Sequence, residues 1–269
     1  MRKRSGESGY TVVELLMTVA LVGLVAAAVA GVYQVSQQSY MRASSLEEAQ
    51  DGARVGLDRM ANELRLIGSF WAGAVGAGNA ITAASPTSLT FMASVTDLYM
   101  LNQSALEARV PIGSTASGMS VPLSISASDT ADAFRVYGNA ALNDFIYIAN
   151  GGTREVRQIN TIGGNTLTLA TNLSLAYPAG SLVRDVKTIT YARDAAASTL
   201  TRAQGGSGAD TIVENVTGLT FTYFDTAGGA LPASPPNPAL IGAIQIDLTV
   251  QGADGSARLM TTRVRPRSL

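Results

Sequence analysis

The 269-residue chain has no cysteine and no histidine. Without cysteine there are no disulfides, thiolate nucleophiles or thiolate-bound zinc. Without histidine the commonest general base and metal ligand is gone, leaving only carboxylates, lysine or tyrosine for hydrolytic chemistry. An enzyme is therefore not expected, and neither a cofactor nor a metal is called for. The missing cysteine assigns no compartment, because exported proteins without disulfides are common. Charge is also scarce: 14% of residues are charged and the formal net charge is −1, so no basic excess predicts nucleic acid as a direct ligand. Two local absences matter more. No proline occurs before Pro86, and no charged side chain occurs from Leu15 to Met41.

What flanks that uncharged run is specific. Arg2, Lys3 and Arg4 form a basic tip, followed by Ser5-Gly6-Glu7-Ser8-Gly9, then Tyr10-Thr11-Val12-Val13-Glu14. The apolar core, Leu15 to Val32, is relieved only by Thr18. As a helix it is about 27 Å long, roughly the thickness of a bilayer's hydrocarbon layer. It is long enough to span, and the preceding basic residues predict a cytoplasmic N-terminus. Three readings compete. An ordinary signal peptide is favoured by Ala28-Val29-Ala30 before Gly31, which fits the small-residue cleavage rule. A plain membrane anchor needs only the span. The third reading rests on the lone acid, Glu14, at the mouth of the run.

Gly9-Tyr-Thr-Val-Val-Glu-Leu-Leu16 resembles the class III leader of type IV prepilins. The resemblance implies that a membrane-embedded peptidase cuts after Gly9 and methylates the new amine of Tyr10, with Glu14 as the acid five residues into the mature chain. Tyr10 stands where the family usually has Phe, and Val12-Val13 where it has Leu-Ile. Gly23 and Gly31 fall where major pilins commonly have Gly and Pro. A carboxylate at the edge of a membrane core is costly unless paired, which makes Glu14 a functional candidate. Its bland alternative is an interfacial acid helped by the positive end of its own helix. After cleavage the Tyr10 amine lies about 6 Å along the axis from Glu14 if both are helical. In the family picture the acid instead attracts the terminal amine of a neighbouring subunit.

Beyond the span the pattern stays helical. Leu46, Ala53, Leu57, Met60, Leu64 and Ile67 are spaced 7, 4, 3, 4 and 3, with charged residues over most of the remaining surface. One helix from about Thr11 to Ile67 is expected, packed against the protein's own body. Residues 71–88 and 102–133 read as loops, with short strands around Thr90-Phe91-Met92 and Ser120 to Ser126. From Phe134 the signal is β. Phe145 to Ile148 ends at Asn150-Gly151-Gly152, and Val156 to Ile162 with Thr166 to Thr171 predicts a hairpin around Gly163-Gly164-Asn165. Leu182 to Arg193 and Thr199 to Arg202 predict a second hairpin. Ala243 to Gln251 alternates strictly, turns at Gly252 to Gly255 and returns through Arg258 to Arg265. The predicted class is α+β, pilin-like: a leader over 1–9, a long helix over 10–69 with 15–32 transmembrane, a loop-rich region over 70–133 and an antiparallel β-sheet head over 134–269.

Residues 144–194, then 211–231, a Pro-rich loop and a final hairpin look like the PilW family of minor pilins, and more distantly like the J-type minor pseudopilins of type II secretion. The resemblance implies a non-enzymatic pilus component that primes polymerisation and sits at the tip. Implied partners are other minor pilins, the major pilin, the prepilin peptidase and the bacterial inner membrane, with the head periplasmic before assembly and at the cell surface afterwards. The alternatives are a type II secretion pseudopilin, an exported β-rich adhesin released after Ala30, and an anchored hydrolase using converging carboxylates. Other motifs are discounted. Gly205-Gly206-Ser207-Gly208 lacks the Lys-Ser/Thr of a phosphate loop. Asp225 with Gly228-Gly229 reads as a turn rather than a Ca²⁺ site. Asp129, Asp132 and Asp144 are too scattered for a dyad.

Overall fold

The computed structural model describes residues 11–94, 110–124, 145–205 and 208–267. They form one long N-terminal helix and an antiparallel β-rich body, an α+β arrangement.

Helix α1 runs Val12–Arg65, 54 residues, about 81 Å at the usual rise. Thr11, in an extended conformation, caps its start. At the other end the Leu66 N–H bonds back to the Glu63 and Leu64 carbonyls, and the chain leaves through Gly68 at φ 75, a left-handed geometry that favours glycine after a helix. The predicted stripe faces the body: Ala53, Met60, Leu64 and Ile67 are fully buried, Leu57 nearly so, and Leu46 half-buried where contact begins. Residues 11–44 are exposed throughout. One helix therefore has two environments.

The body is organised by its longest strand. Strands β1 (Ile81–Ala84), β2 (Ser88–Ala93), β3 (Val110–Pro111), β4 (Ser120–Pro122), β5 (Phe145–Asn150), β6 (Thr153–Gly163) and β7 (Thr166–Leu169) precede β8 (Leu182–Asp194). After it come β9 (Thr199–Gln204), β10 (Asp210–Val213), β11 (Val216–Phe224), β12 (Ala243–Gln251) and β13 (Ala257–Val264). The second half of β8 pairs with β2 and β9, and β1 and β10 extend that sheet at its two edges. The first half of β8 pairs with β5 and β3. From β5 the ladder passes through β6 and β7 to β4, and it closes where Ile112 bridges Leu123 and the Gly113 N–H donates to the Pro122 carbonyl at 3.0 Å. The result is a small closed barrel. Ile146, Ile148, Ile159, Leu167, Leu169 and Val183 fill it, as side chains fill any barrel this narrow.

A separate sheet, β11-β12-β13, covers the other core. Its alternation is as predicted: Ile244, Ile246, Leu248 and Val250 point inward and are fully buried. They pack with Phe91, Tyr191, Leu200, Phe221 and Tyr223 and with the buried stripe of α1, each such large side chain contributing about 1.5–3 kcal/mol on burial. Hydrogen bonds that join the sheets include Phe221 N–H to the Pro86 carbonyl and the Tyr223 hydroxyl to the Ser85 carbonyl, both 2.7 Å, and Arg193 Nε to the Val216 carbonyl at 3.1 Å.

The predicted hairpins are present as β6–β7, β8–β9 and β12–β13. Residues 71–88, read as loop, contain β1. Ile81 is the one large apolar residue of that strand, and its register with β2 shifts between Ile81 and Ala83, so no alternation marks it. Of the expected strand Ser120 to Ser126, residues 120–122 pair with β7, while Ser126 lies outside the described residues.

Candidate assembly site on the helix

Gly9 and Tyr10 lie outside the described residues, and Glu14 lies within them. Its carboxylate folds back over the first turn of α1. The Thr11 backbone N–H donates to Glu14 Oε2 at 3.0 Å and the Thr11 hydroxyl donates to the same oxygen at 3.2 Å. In return the Glu14 N–H bonds to Thr11 Oγ1 at 3.2 Å. This is a capping box, in which two otherwise unsatisfied helix donors are met reciprocally. The signal for it in the sequence is Thr11-x-x-Glu14, which is separate from the charge of Glu14. One turn on, the Thr18 hydroxyl donates to the Glu14 carbonyl at 2.7 Å, so the one hydroxyl within the apolar core is satisfied inside the helix.

The arrangement leaves Glu14 half occupied. Both hydrogen bonds reach Oε2, and among the described residues Oε1 has no partner. Around it Val12, Val13, Leu15, Leu16 and Met17 are all more than 60% exposed. The apolar span is long and apolar enough to cross a membrane, and none of it is buried by the body. Such a surface needs a non-aqueous cover. Above it Tyr33 accepts a hydrogen bond from Gln37 Nε2 at 2.9 Å. The body holds the helix at Ser45, whose hydroxyl accepts from the Ala253 N–H at 3.2 Å.

Several other acidic side chains have structural partners. Glu63 Oε2 accepts from the Tyr191 hydroxyl at 2.8 Å and from Arg202 Nε at 2.9 Å, while Oε1 accepts from Arg59 Nε at 3.3 Å. Burial, then the charge of Glu63, pushes the Tyr191 hydroxyl far above its ordinary pKa, so it stays a donor. In the barrel wall the buried Glu155 pairs with Arg157 and accepts from the Ser174 N–H at 2.6 Å and the Tyr177 hydroxyl at 3.3 Å. Burial, and next the Glu155 charge, raises Tyr177 to about 12. Asp225 accepts from the Gly229 N–H at 2.7 Å within a turn. Asp129, Asp132 and Asp144 are outside the described residues, as are Gly206 and Ser207. Among the described residues no three metal-capable side chains converge.

No protein-family model, no characterised protein and no solved structure matches this chain.

Proposed function

We propose that the chain is a minor pilin of a type IV pilus, anchored in the bacterial inner membrane by the first half of α1 and processed between Gly9 and Tyr10. The observation that carries this reading is a half-satisfied carboxylate at the mouth of a wholly uncovered apolar helix whose other half is built into a β body. In lipid, the capping hydrogen bonds reduce the cost of keeping Glu14 at the edge of the hydrocarbon. In a fibre, Oε1 accepts the terminal amine of a neighbouring subunit without breaking the cap. The apolar helices then cover one another in place of lipid, so that pairing and burial act together. The body takes part by position and contact, without catalysis. Partners are the other minor pilins, the major pilin and the prepilin peptidase. A type II secretion pseudopilin would use the same anchor and the same pairing.

A second reading has its own observation, the Ala28-Val29-Ala30 sequence before Gly31, which suits an ordinary signal peptidase. It makes the protein a released, β-rich binding module lacking most of the exposed half of α1. Mass spectrometry of the exported protein separates the two. N-methyl-Tyr10 at the N-terminus is the expected result; Gly31 as first residue rules the pilin reading out.

A further inference from the structure

We propose that the two ends of the body are complementary charged surfaces, an arginine pole and an acidic foot, through which a second copy of this chain docks head to tail. The inference rests on the body, not on processing at Gly9 or on the pairing of Glu14.

The two surfaces lie at opposite ends of the packed half of α1. At the foot the turn after β12 closes on the helix: the Ala253 N–H donates to Ser45 Oγ at 3.2 Å, and a Cβ on Gly252 would stand 3.2 Å from that of Leu46. At the other end the chain leaving β13 meets the last turn of the helix, where the Arg267 N–H donates to the Arg65 carbonyl at 3.1 Å. About 30 Å of helix separates Ser45 from Arg65. Glu47, Glu48 and Asp51 are exposed at the foot, Glu214 lines a cleft with Glu48, and Asp254 is exposed in the turn. Arg42 and Arg258 offset part of that charge. Arg65, Arg263, Arg265 and Arg267 are exposed at the pole, where Asp225, beside Phe224, offsets part of theirs.

The fold leaves both sets of charges available. Among the described residues Glu47, Glu48, Asp51 and Glu214 have no ion-pair partner, and neither do Arg263, Arg265 and Arg267. Arg263 is held in place without being neutralised. Its guanidinium lies 3.7 Å from the centre of the Phe224 ring, a stack that orients the planar fork and leaves its N–H donors for a carboxylate. Asp247, on the same face of the sheet, is engaged by Gln245 Nε2 at 3.0 Å and by the Thr261 hydroxyl at 2.7 Å. Arg265 follows on that face, two residues further along. The opposite charges of one molecule are too far apart to meet. Copies anchored alike stand parallel, and at equal depth in one bilayer they set like ends side by side. Opposite ends meet when one copy is advanced by about 30 Å along the helix axis, an open contact between two different surfaces.

The chain has no cysteine, so introduced thiols are the only ones present. The test uses the full chain in nonionic detergent micelles, with Ser44→Cys marking the foot in one preparation and Asn62→Cys marking the pole in another; both positions are exposed. The mixture is oxidised with copper phenanthroline in about 10 mM salt. The mixed disulfide is expected to form at least about tenfold faster than either like-with-like disulfide, and the preference to vanish near 1 M salt, where the Debye length is about 3 Å. Arg263→Glu with Arg265→Glu in the pole-marked copy abolishes the preference, and Glu47→Lys with Glu48→Lys in the foot-marked copy restores it. A chain carrying both cysteines gives a ladder beyond the cross-linked dimer, as an open contact requires. Like-with-like disulfides as fast as the mixed one, a ladder that stops at the dimer, or reversed charges that fail to restore cross-linking overturns the proposal. So does binding of oligothymidine that is lost with Arg263→Glu and Arg265→Glu while the mixed disulfide is absent, which gives the pole to nucleic acid instead.

Discussion

Glu14 and Glu63 are carboxylates of the same helix in opposite situations. Glu63 is held between α1 and the sheet by donors from Arg59, Tyr191 and Arg202 that use both of its oxygens. Glu14 is exposed, and among the described residues its carboxylate is bound by Thr11 through one oxygen, the other having no partner there. The same division runs through their surroundings. Met60 and Leu64 beside Glu63 are fully buried, whereas the apolar residues after Glu14 are bare. An acid saturated by its own fold holds that fold together, while an exposed acid at the rim of an uncovered surface contributes little to it, and only on the proposed pilin reading does its second oxygen serve a neighbour.

The largest effect that tests this contrast is loss of Glu63. Glu63→Ala removes the acceptor shared by Tyr191 and Arg202 and is expected to cost about 3–5 kcal/mol of folding stability, read as a fall in the guanidinium midpoint. Assembly should change only as stability does. If Glu63→Ala costs no more than Glu14→Ala, the contrast is lost. The next test makes similar truncations in the two halves of α1. Met60→Ala leaves a cavity in the joint core and should cost about 2–5 kcal/mol. Leu24→Ala, at a position 69% exposed, should stay within about 0.5 kcal/mol while weakening retention in the membrane fraction. Equal costs at the two positions would mean that the first half of the helix has an intramolecular partner.

Much of this layout was readable. The absence of proline and the 7, 4, 3, 4, 3 stripe located the helix and its buried face. The hairpins announced themselves through Gly-Gly-Asn and Gly-Ala-Asp-Gly turns and through the alternation of β12. What was hidden depends on distance along the chain. The partners of Glu63 at Tyr191 and Arg202 are 128 and 139 residues away, and no local pattern encodes them. Barrel closure needs β3 to find β8, and Ile112 to find Leu123, from strands only two and three residues long. Strand β11 was a signal left unused, since Leu219, Phe221 and Tyr223 alternate with threonines. Thr11 is different: its signal is local, because Glu14 three residues on is an acceptor as well as a charge.

Alkaline pH offers a milder probe of the buried donors. Tyr177 is raised from 10.0 to about 12, and Tyr191 moves further in the same direction. A raised folded-state pKa means that the folded form holds its proton more tightly than the unfolded one. The stability linked to that proton is complete below pH 10 and is lost as pH rises through about 12. The denaturation midpoint should therefore decline over this window. Tyr177→Phe should flatten part of the slope, and Tyr191→Phe a larger part, each at a cost of about 1 kcal/mol near neutrality for the lost hydrogen bond. An unchanged slope in Tyr191→Phe would remove its hydroxyl from the set of buried donors.

The smallest effect on folding is expected at Glu14, and there the two kinds of acid separate most clearly. Thr11→Ala and Glu14→Ala each dissolve the capping box, costing at most about 1 kcal/mol and fraying only the first turn, because residues 11–44 are exposed. On the proposed pilin reading, cleavage after Gly9 continues in both variants. Their incorporation into sheared pili should differ. Thr11→Ala keeps the carboxylate and lets it swing, so recovery falls partially; Glu14→Ala leaves nothing to receive a neighbour's amine, so recovery collapses. Glu14→Asp, one methylene shorter, keeps the charge but reaches less far from the helix axis and should fall between them. If Glu14→Ala is recovered in pili at the unmodified level, the free oxygen is only the exposed side of a helix cap, and the resemblance between Glu14 and an assembly acid ends there.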